Sequence, residues 1–227
     1  MAQLEKKIAL VTGASRGLGK DTALQLAKKG FDVLITYQSK KEDADAVVGE
    51  LEALGSNSFA LALDLSNAVS FSTFTKEIAH VLEVHLNDKK LDALVNNAGL
   101  NDGVGLEHGN YKAFMQSLHR NLVHYYLMAH FVLPELKKSK GNIVNISSKT
   151  GDTGQGNTSA YAAANGGRNA LTREWAVELL KYSIRVNAVI VAECYTPLYE
   201  TWINTFENKE EKLAAITKNI PLENRMT

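Results

Sequence analysis

Along the chain, short apolar runs alternate with longer stretches of helical period, and the alternation repeats almost to the end. Such a rhythm predicts β-α units of a mostly parallel sheet, because strands covered on both faces read as nearly continuous apolar runs. Residues 7–12 (KIALVT) are the first expected strand, followed by a glycine-rich turn and a helix over 18–29. The second strand is expected at 32–37 (DVLITY), with a charged helix at 42–54 that stops at Gly55, where a left-handed cap costs little. The third runs over 58–64 (SFALALD) before a helix at 69–86.

The second half repeats the scheme. Strands are expected at 91–97 (LDALVNN), 142–147 (NIVNIS) and 183–189 (SIRVNAV), separated by long helices at 111–138 and 159–181. Two helical pieces close the chain, at 198–206 and 209–218, the second behind the capping candidate Asn208. The predicted fold is therefore α/β: a Rossmann-type doubly wound parallel sheet with helices on both faces, a three-layer αβα arrangement. The long loops, 99–110 and 149–158, are rich in Gly, Asn and Thr, and both follow the carboxyl ends of strands, where such sheets place their ligand crevice.

Composition narrows this picture only by exclusion. Twenty-five basic and twenty-five acidic side chains cancel, which removes any bulk electrostatic case for nucleic acid or an anionic membrane. Hydrophobic residues make up 45%, too many for a disordered chain, yet no run approaches the roughly 18 apolar residues of a membrane span. The start, MAQLEKKIALVTG, lacks a signal-peptide apolar region, and the single cysteine, Cys194, permits no intramolecular disulfide. A cytoplasmic enzyme or binding domain is the expectation, with no metal site.

Candidate chemistry begins in the first turn. TGASRGLG, residues 12–19, spaces Gly13, Gly17 and Gly19 as G-x-x-x-G-x-G between a strand and a helix. Glycines there turn the chain tightly and bring backbone N–H groups and a helix N-terminus up to an anionic pyrophosphate. Residues 1–227 therefore read as a single dinucleotide-binding domain, with Ser15, Arg16 and Leu18 completing the loop. At the end of the second strand an acid would accept from the adenosine ribose and repel a 2′-phosphate. This chain instead has Thr36, Tyr37 and Gln38, then Lys40 and Lys41, with Arg16 nearby in the loop. Missing acid and added cations favour NADP, with NAD as the alternative. Asp64, followed by Leu65, either accepts from the adenine amino group or caps the next helix.

These motifs, with several further along, resemble the short-chain dehydrogenase/reductase family. TGASRGLG resembles its cofactor loop, NNAG at 96–99 its fourth-strand motif, Asn121 in HRNLVHYY its helix asparagine, and Ser148 stands thirteen residues before Tyr161. The resemblance implies catalytic roles for four positions. Tyr161 would exchange a proton with the substrate oxygen, Ser148 would hydrogen-bond that oxygen, Asn121 would hold a water in the proton relay, and Asn165 occupies the place of the family lysine. It also implies that Asn97, Ala98 and Gly99 line the cofactor, that Tyr161 borders it, and that Thr196 meets the nicotinamide carboxamide. A small-molecule alcohol or carbonyl would be the substrate, and a homodimer or homotetramer the assembly.

Three departures qualify the resemblance. The family pattern Y-x-x-x-K reads YAAAN here, so that a charged side chain one helical turn from Tyr161 is replaced by a neutral one. A positive charge beside a phenol favours its ionised form. Asn165 brings none, so slow turnover, or a member that binds dinucleotide as an interaction protein, is the competing expectation. Arg168 and Lys149 are the cations near enough in sequence to replace it. After the sixth strand the chain has Val191 and Ala192 where the family has Pro-Gly, and it stops before the family's usual seventh strand. The polar stretch DTGQGNTS, with REWA and TPLY, resembles the sugar-dehydrogenase branch, the fucose dehydrogenases in particular.

Overall fold

A computed structural model describes residues 6–87, 89–218 and 220. By internal contacts the chain forms two compact units, residues 1–190 and 191–227. The first is an α/β unit whose six strands are β1 (Ile8–Val11), β2 (Asp32–Tyr37), β3 (Ser58–Ala62), β4 (Leu91–Asn96), β5 (Asn142–Ser148) and β6 (Arg185–Val191). They lie in the order β3-β2-β1-β4-β5-β6, with parallel pairing of β1 to β2 and β4, β2 to β3, and β4 to β5. The doubly wound sheet is thus as the apolar runs foretell. The order reverses between β1 and β4, so the crevice opens at their carboxyl ends.

Helices α1 (Gly17–Lys28), α2 (Lys41–Ala53), α3 (Ser70–His80), α4 (Tyr111–Leu118), α5 (His124–Ser139), α6 (Thr150–Thr153) and α7 (Ser159–Glu178) complete this unit. Alternate residues of each strand feed two cores. Leu10, Leu34, Leu94 and Ile143 pack with Phe71 and Phe74 of α3, Met128 and Val132 of α5, and Trp175 of α7. Val11, Val33, Ile35 and Val95 pack with Ala23 and Ala27 of α1 and Val47 and Leu51 of α2. The small side chains on α1 let that helix, which follows the glycine loop, lie close to the sheet.

Five local expectations are adjusted. The helix expected over 111–138 is divided by a π turn, His119–Val123, and the one over 69–86 ends in another, Val81–His85. The loop 149–158 contains the short helix α6. The helix expected to reach 181 ends at Glu178, with a 3-10 turn at Leu180–Tyr182. The sixth strand begins and ends two residues later than expected: Ser183 takes a left-handed conformation (φ 59°), and neither Pro nor Gly interrupts the strand at Val191. Gly55 does adopt the left-handed cap (φ +81°).

The second unit contains α8 (Pro197–Ile203) and α9 (Lys209–Thr217). Thr196 Oγ1 caps α8 by accepting from Tyr199 N at 3.2 Å, and Asn208 caps α9 by accepting from Glu211 N at 3.3 Å. Along α8, Tyr195, Tyr199, Trp202 and Phe206 form a ladder of rings with centroids 5.1–5.9 Å apart. Among the described residues no helix is long and apolar enough to cross a membrane, and no cluster of side chains is arranged to hold a metal ion.

A buried polar chain ties the sheet to the helix that carries the candidate tyrosine. Asn96 Nδ2 donates to Asn145 Oδ1 at 3.0 Å, Asn145 Nδ2 to Thr172 Oγ1 at 3.0 Å, and Thr172 Oγ1 to the Arg168 carbonyl at 2.7 Å. Cutting it leaves buried polar groups without partners. Asn145→Ala is expected to destabilise the protein by about 1–3 kcal/mol, read as a lower urea midpoint at unchanged slope.

Candidate active site

The glycine loop is shaped by close approaches that exclude side chains. Gly13 takes φ +64°, and a Cβ there would lie 2.9 Å from Ala98 Cα; one at Gly19 would lie 2.5 Å from both Asn97 Nδ2 and the Gly13 carbonyl. Gly17 also needs its positive φ of +57°, but the space beside it is open. Thr12 Oγ1 accepts from Asn97 N at 2.9 Å and Ala98 N at 3.0 Å, while Asn97 Nδ2 donates to the Thr12 carbonyl at 2.9 Å. These bonds lock the TGASRGLG and NNAG segments together across the sheet's switch point.

Thr36 has a role that its place in the sequence conceals. Its Oγ1 accepts from Gly13 N at 3.0 Å and its carbonyl from Ala14 N at 3.1 Å, so the end of β2 holds the loop's first turn. No side chain caps α1 at Arg16, and the helix's leading N–H groups at Gly17, Leu18 and Gly19 are left for an outside acceptor. An uncapped N-terminus beside the open face of Gly17 fits a pyrophosphate. Ser15 is half-buried in the turn and Arg16 exposed.

The adenosine end is less basic than the sequence suggests. Lys40 pairs with Asp43 at 3.9 Å and Lys41 with Asp45 at 2.6 Å, both on α2, which leaves Arg16 as the cation of that group without an ion pair among the described residues. Tyr37 closes β2, half-buried, and its carbonyl accepts from Leu63 N. Asp64 neither caps α3 nor lies buried. Its Oδ1 accepts from Ser66 N at 2.9 Å and Ser66 Oγ at 2.7 Å, and these bonds hold its carboxyl below the usual carboxylate range. Leu65 packs its side chain on the core.

At the catalytic end, Ser148 leaves β5 and Tyr161 stands, half-buried, in the first turn of α7. Ser148 Oγ accepts from Thr150 N at 3.3 Å and Thr150 Oγ1 at 3.1 Å. Because both neighbours donate, the serine keeps its own proton for another acceptor. Asn165, fully buried, donates from Nδ2 to the Tyr161 carbonyl at 2.7 Å and to Thr150 Oγ1 at 3.5 Å. It therefore ties the serine's turn to the tyrosine's helix.

Asn121 sits in the π turn of the long helix with its side chain fully engaged. Oδ1 accepts from Leu100 N at 2.8 Å, and Nδ2 donates to the Leu100 carbonyl at 2.8 Å and the Ser117 carbonyl at 3.0 Å, which pins the start of loop 99–110. Its main-chain carbonyl accepts from Arg168 Nε. Arg168, which the sequence offered with Lys149 as a cation near Tyr161, stands at the centre of this network. Only 3% exposed, it donates from Nη1 to Asn165 Oδ1 at 2.9 Å and the Ile146 carbonyl at 3.1 Å, and from Nη2 to Asn121 Oδ1 at 3.3 Å. A Cβ at Gly99 would meet Nη2 at 3.0 Å, so the last glycine of NNAG makes room for the guanidinium.

Behind it, Tyr125 lies fully buried with its ring 4.2 Å below the guanidinium and its hydroxyl donating to the Ile146 carbonyl. Burial pushes the Tyr125 phenol up to about 12, which keeps it neutral. His124, equally buried, is pushed down to about 3, first by burial and then by Arg168.

A glycine-looped, doubly wound sheet with Ser and Tyr hydroxyls at the carboxyl ends defines a dinucleotide-dependent oxidoreductase. The chain belongs to the short chain dehydrogenase family, whose model matches residues 7–206. It is thus an NAD(P)-dependent short-chain dehydrogenase/reductase. The 3-oxoacyl-(acyl-carrier-protein) reductase FabG of Staphylococcus aureus is 36% identical over 184 residues, which cover 81% of this chain and 72% of that protein. A 3-oxoacyl-(acyl-carrier-protein) reductase of Synechocystis is 35% identical over 191 residues, or 83% and 74%. Among solved structures, Cj0485 dehydrogenase superposes with a TM-score of 0.89 at 39% identity, covering 99% of this chain and 83% of its own. An actinorhodin polyketide ketoreductase with NADPH reaches 0.87 at 26% identity, covering 100% and 87%.

Two outcomes follow. Gly19→Ala is expected to weaken dinucleotide binding at least about tenfold by fluorescence titration, because its Cβ would collide with backbone that cannot retreat. His124 makes the fold acid-sensitive: its value is about 3 when folded against an ordinary 6.5, so the unfolded chain binds the extra proton and stability falls as pH drops from about 6.5 towards 3. By pH 5 the loss is about 2 kcal/mol, and His124→Phe should flatten that slope in denaturant titrations.

Proposed function

We propose that this enzyme transfers a hydride between NADP(H) and an alcohol/carbonyl pair, with Tyr161 as acid/base and Ser148 as the donor to the reacting oxygen. The observation that carries this reading is the orientation of Ser148: accepting from both Thr150 groups, it has its proton free for a substrate oxygen. When bound, the reduced dinucleotide supplies the hydride. As charge develops on the substrate oxygen, Ser148 donates to it, and Tyr161 gives up its phenolic proton to complete the alcohol; oxidation runs the same path backwards. Asn165 and Thr150 keep the two hydroxyls in register. Gly13, Ser15, Gly17, Leu18 and Gly19 would hold the pyrophosphate, Asn97, Ala98 and Gly99 the ribose end, and Tyr37, Asp64 and Leu65 the adenosine.

NADP is preferred over NAD because β2 ends without an acid and Arg16 remains unpaired among the described residues. The NADPH named with the ketoreductase points the same way. A small polyhydroxy substrate such as a sugar suits the loops. Residues 152–157 are polar and exposed, and they meet loop 99–110 where a Cβ on Gly105 would lie 2.9 Å from Asn157 Cα.

Initial rates with NADPH and NADP against aldoses, ketoses and 3-oxoacyl thioesters test the reading. Turnover on a sugar, lost by at least about a thousandfold in Tyr161→Phe with little change in KM, is the expected result. Turnover confined to 3-oxoacyl thioesters removes the sugar, and no turnover on any of them removes the reading.

A further inference from the structure

Position 165 presents a problem in charge. A phenol that surrenders its proton in a partly buried site leaves an anion behind, and the neutral amide of Asn165 offers it no counter-charge. The structure contains a cation in the right neighbourhood. The Arg168 guanidinium lies 5.9 Å from the centre of the Tyr161 ring, one helical turn beyond Asn165 and bonded to it.

The environment of Arg168 is that of a charge kept for use. Its polar partners are all neutral: the Asn121 carbonyl and Oδ1, the Ile146 carbonyl and Asn165 Oδ1. Among the described residues no carboxylate forms an ion pair with it. A buried arginine that gains its stability from carbonyl oxygens and the face of Tyr125 retains a full positive charge, which a salt bridge would cancel. The titratable groups packed around it are Tyr125 and His124 from α5 and Tyr161 from α7. The first two are held neutral by burial. Gly99 and the π turn at Asn121 both shape themselves around the guanidinium, one by lacking a side chain and the other by offering a carbonyl.

We infer that Arg168 is the electrostatic positioning residue of this site, supplying from α7 the positive charge that residue 165 lacks and stabilising the Tyr161 phenolate through space. This rests on the assignment of Tyr161 as the acid/base. The side chain does not touch the reacting oxygen. Its guanidinium fork also fixes Asn165 and Asn121, so one residue orders the site and charges it.

The test reads the phenol directly, without cofactor or turnover. The ultraviolet phenolate absorbance of the protein minus that of Tyr161→Phe is followed against pH, in wild type, Arg168→Gln, Arg168→Lys and the double variant Asn165→Lys/Arg168→Gln. The step is expected to move up by about one pH unit or more in Arg168→Gln, to stay near wild type in Arg168→Lys, and to return in the double variant. In the oxidation direction, where the phenolate is the base, the rising limb of the kcat profile should shift in parallel, with KM little changed. A step at the same pH in wild type and a folded Arg168→Gln overturns the inference. If the neutral variants fail to fold, Arg168→Lys decides it: a step displaced upward while the charge is retained shows a packing role only. Wild-type protein with no turnover on any substrate would remove the proposed function and leave this titration to decide Arg168 independently.

Discussion

The whole site depends on one constraint, the burial of an unneutralised guanidinium between α5, α7 and the end of β4. A cation removed from water must be surrounded by oxygens and ring faces, or the fold does not tolerate it. Arg168 meets this by gathering the Asn121 and Ile146 carbonyls, the Asn121 and Asn165 amides and the face of Tyr125. Most of those groups belong to elements that carry the candidate site residues. Satisfying the charge therefore fixes the distance between the helix of Tyr161, the π turn of Asn121 and the strand that leads to Ser148.

The second half of the crevice is built by a different economy, in which backbone meets backbone. Gly13 against Ala98 and Gly19 against Asn97 bring the first turn onto the fourth strand, and Thr12 and Thr36 supply the side-chain oxygens that hold it. The α1 N-terminus remains uncapped by its own side chains. A rigid loop and a free helix end together make an anion site without a dedicated cation, consistent with a cofactor bound largely through main-chain N–H groups.

Much of this was legible in order along the chain. The apolar runs marked all six strands, because a parallel strand buried on two faces has no alternation to confuse it. The glycine loop, the NNAG segment and the Ser–Tyr separation marked the crevice. Less legible were the π turns, since a single added residue hardly disturbs a helical period, and the short helix α6 inside a polar loop. Nor did the sequence reading include the surface pairs that the lysines after β2 make with Asp43 and Asp45, three and four residues on.

By itself the sequence determined the fold class and the place of the glycine loop between the first strand and helix, because these follow from local spacing. It also showed that residue 165 carries no charge. What only the tertiary structure decided is where a buried positive charge lies. Arg168 is seven residues from Tyr161 and far in sequence from Asn121 and Tyr125. Its place among the Asn121, Asn165 and Ile146 oxygens is a property of packed surfaces from distant segments that no local pattern encodes.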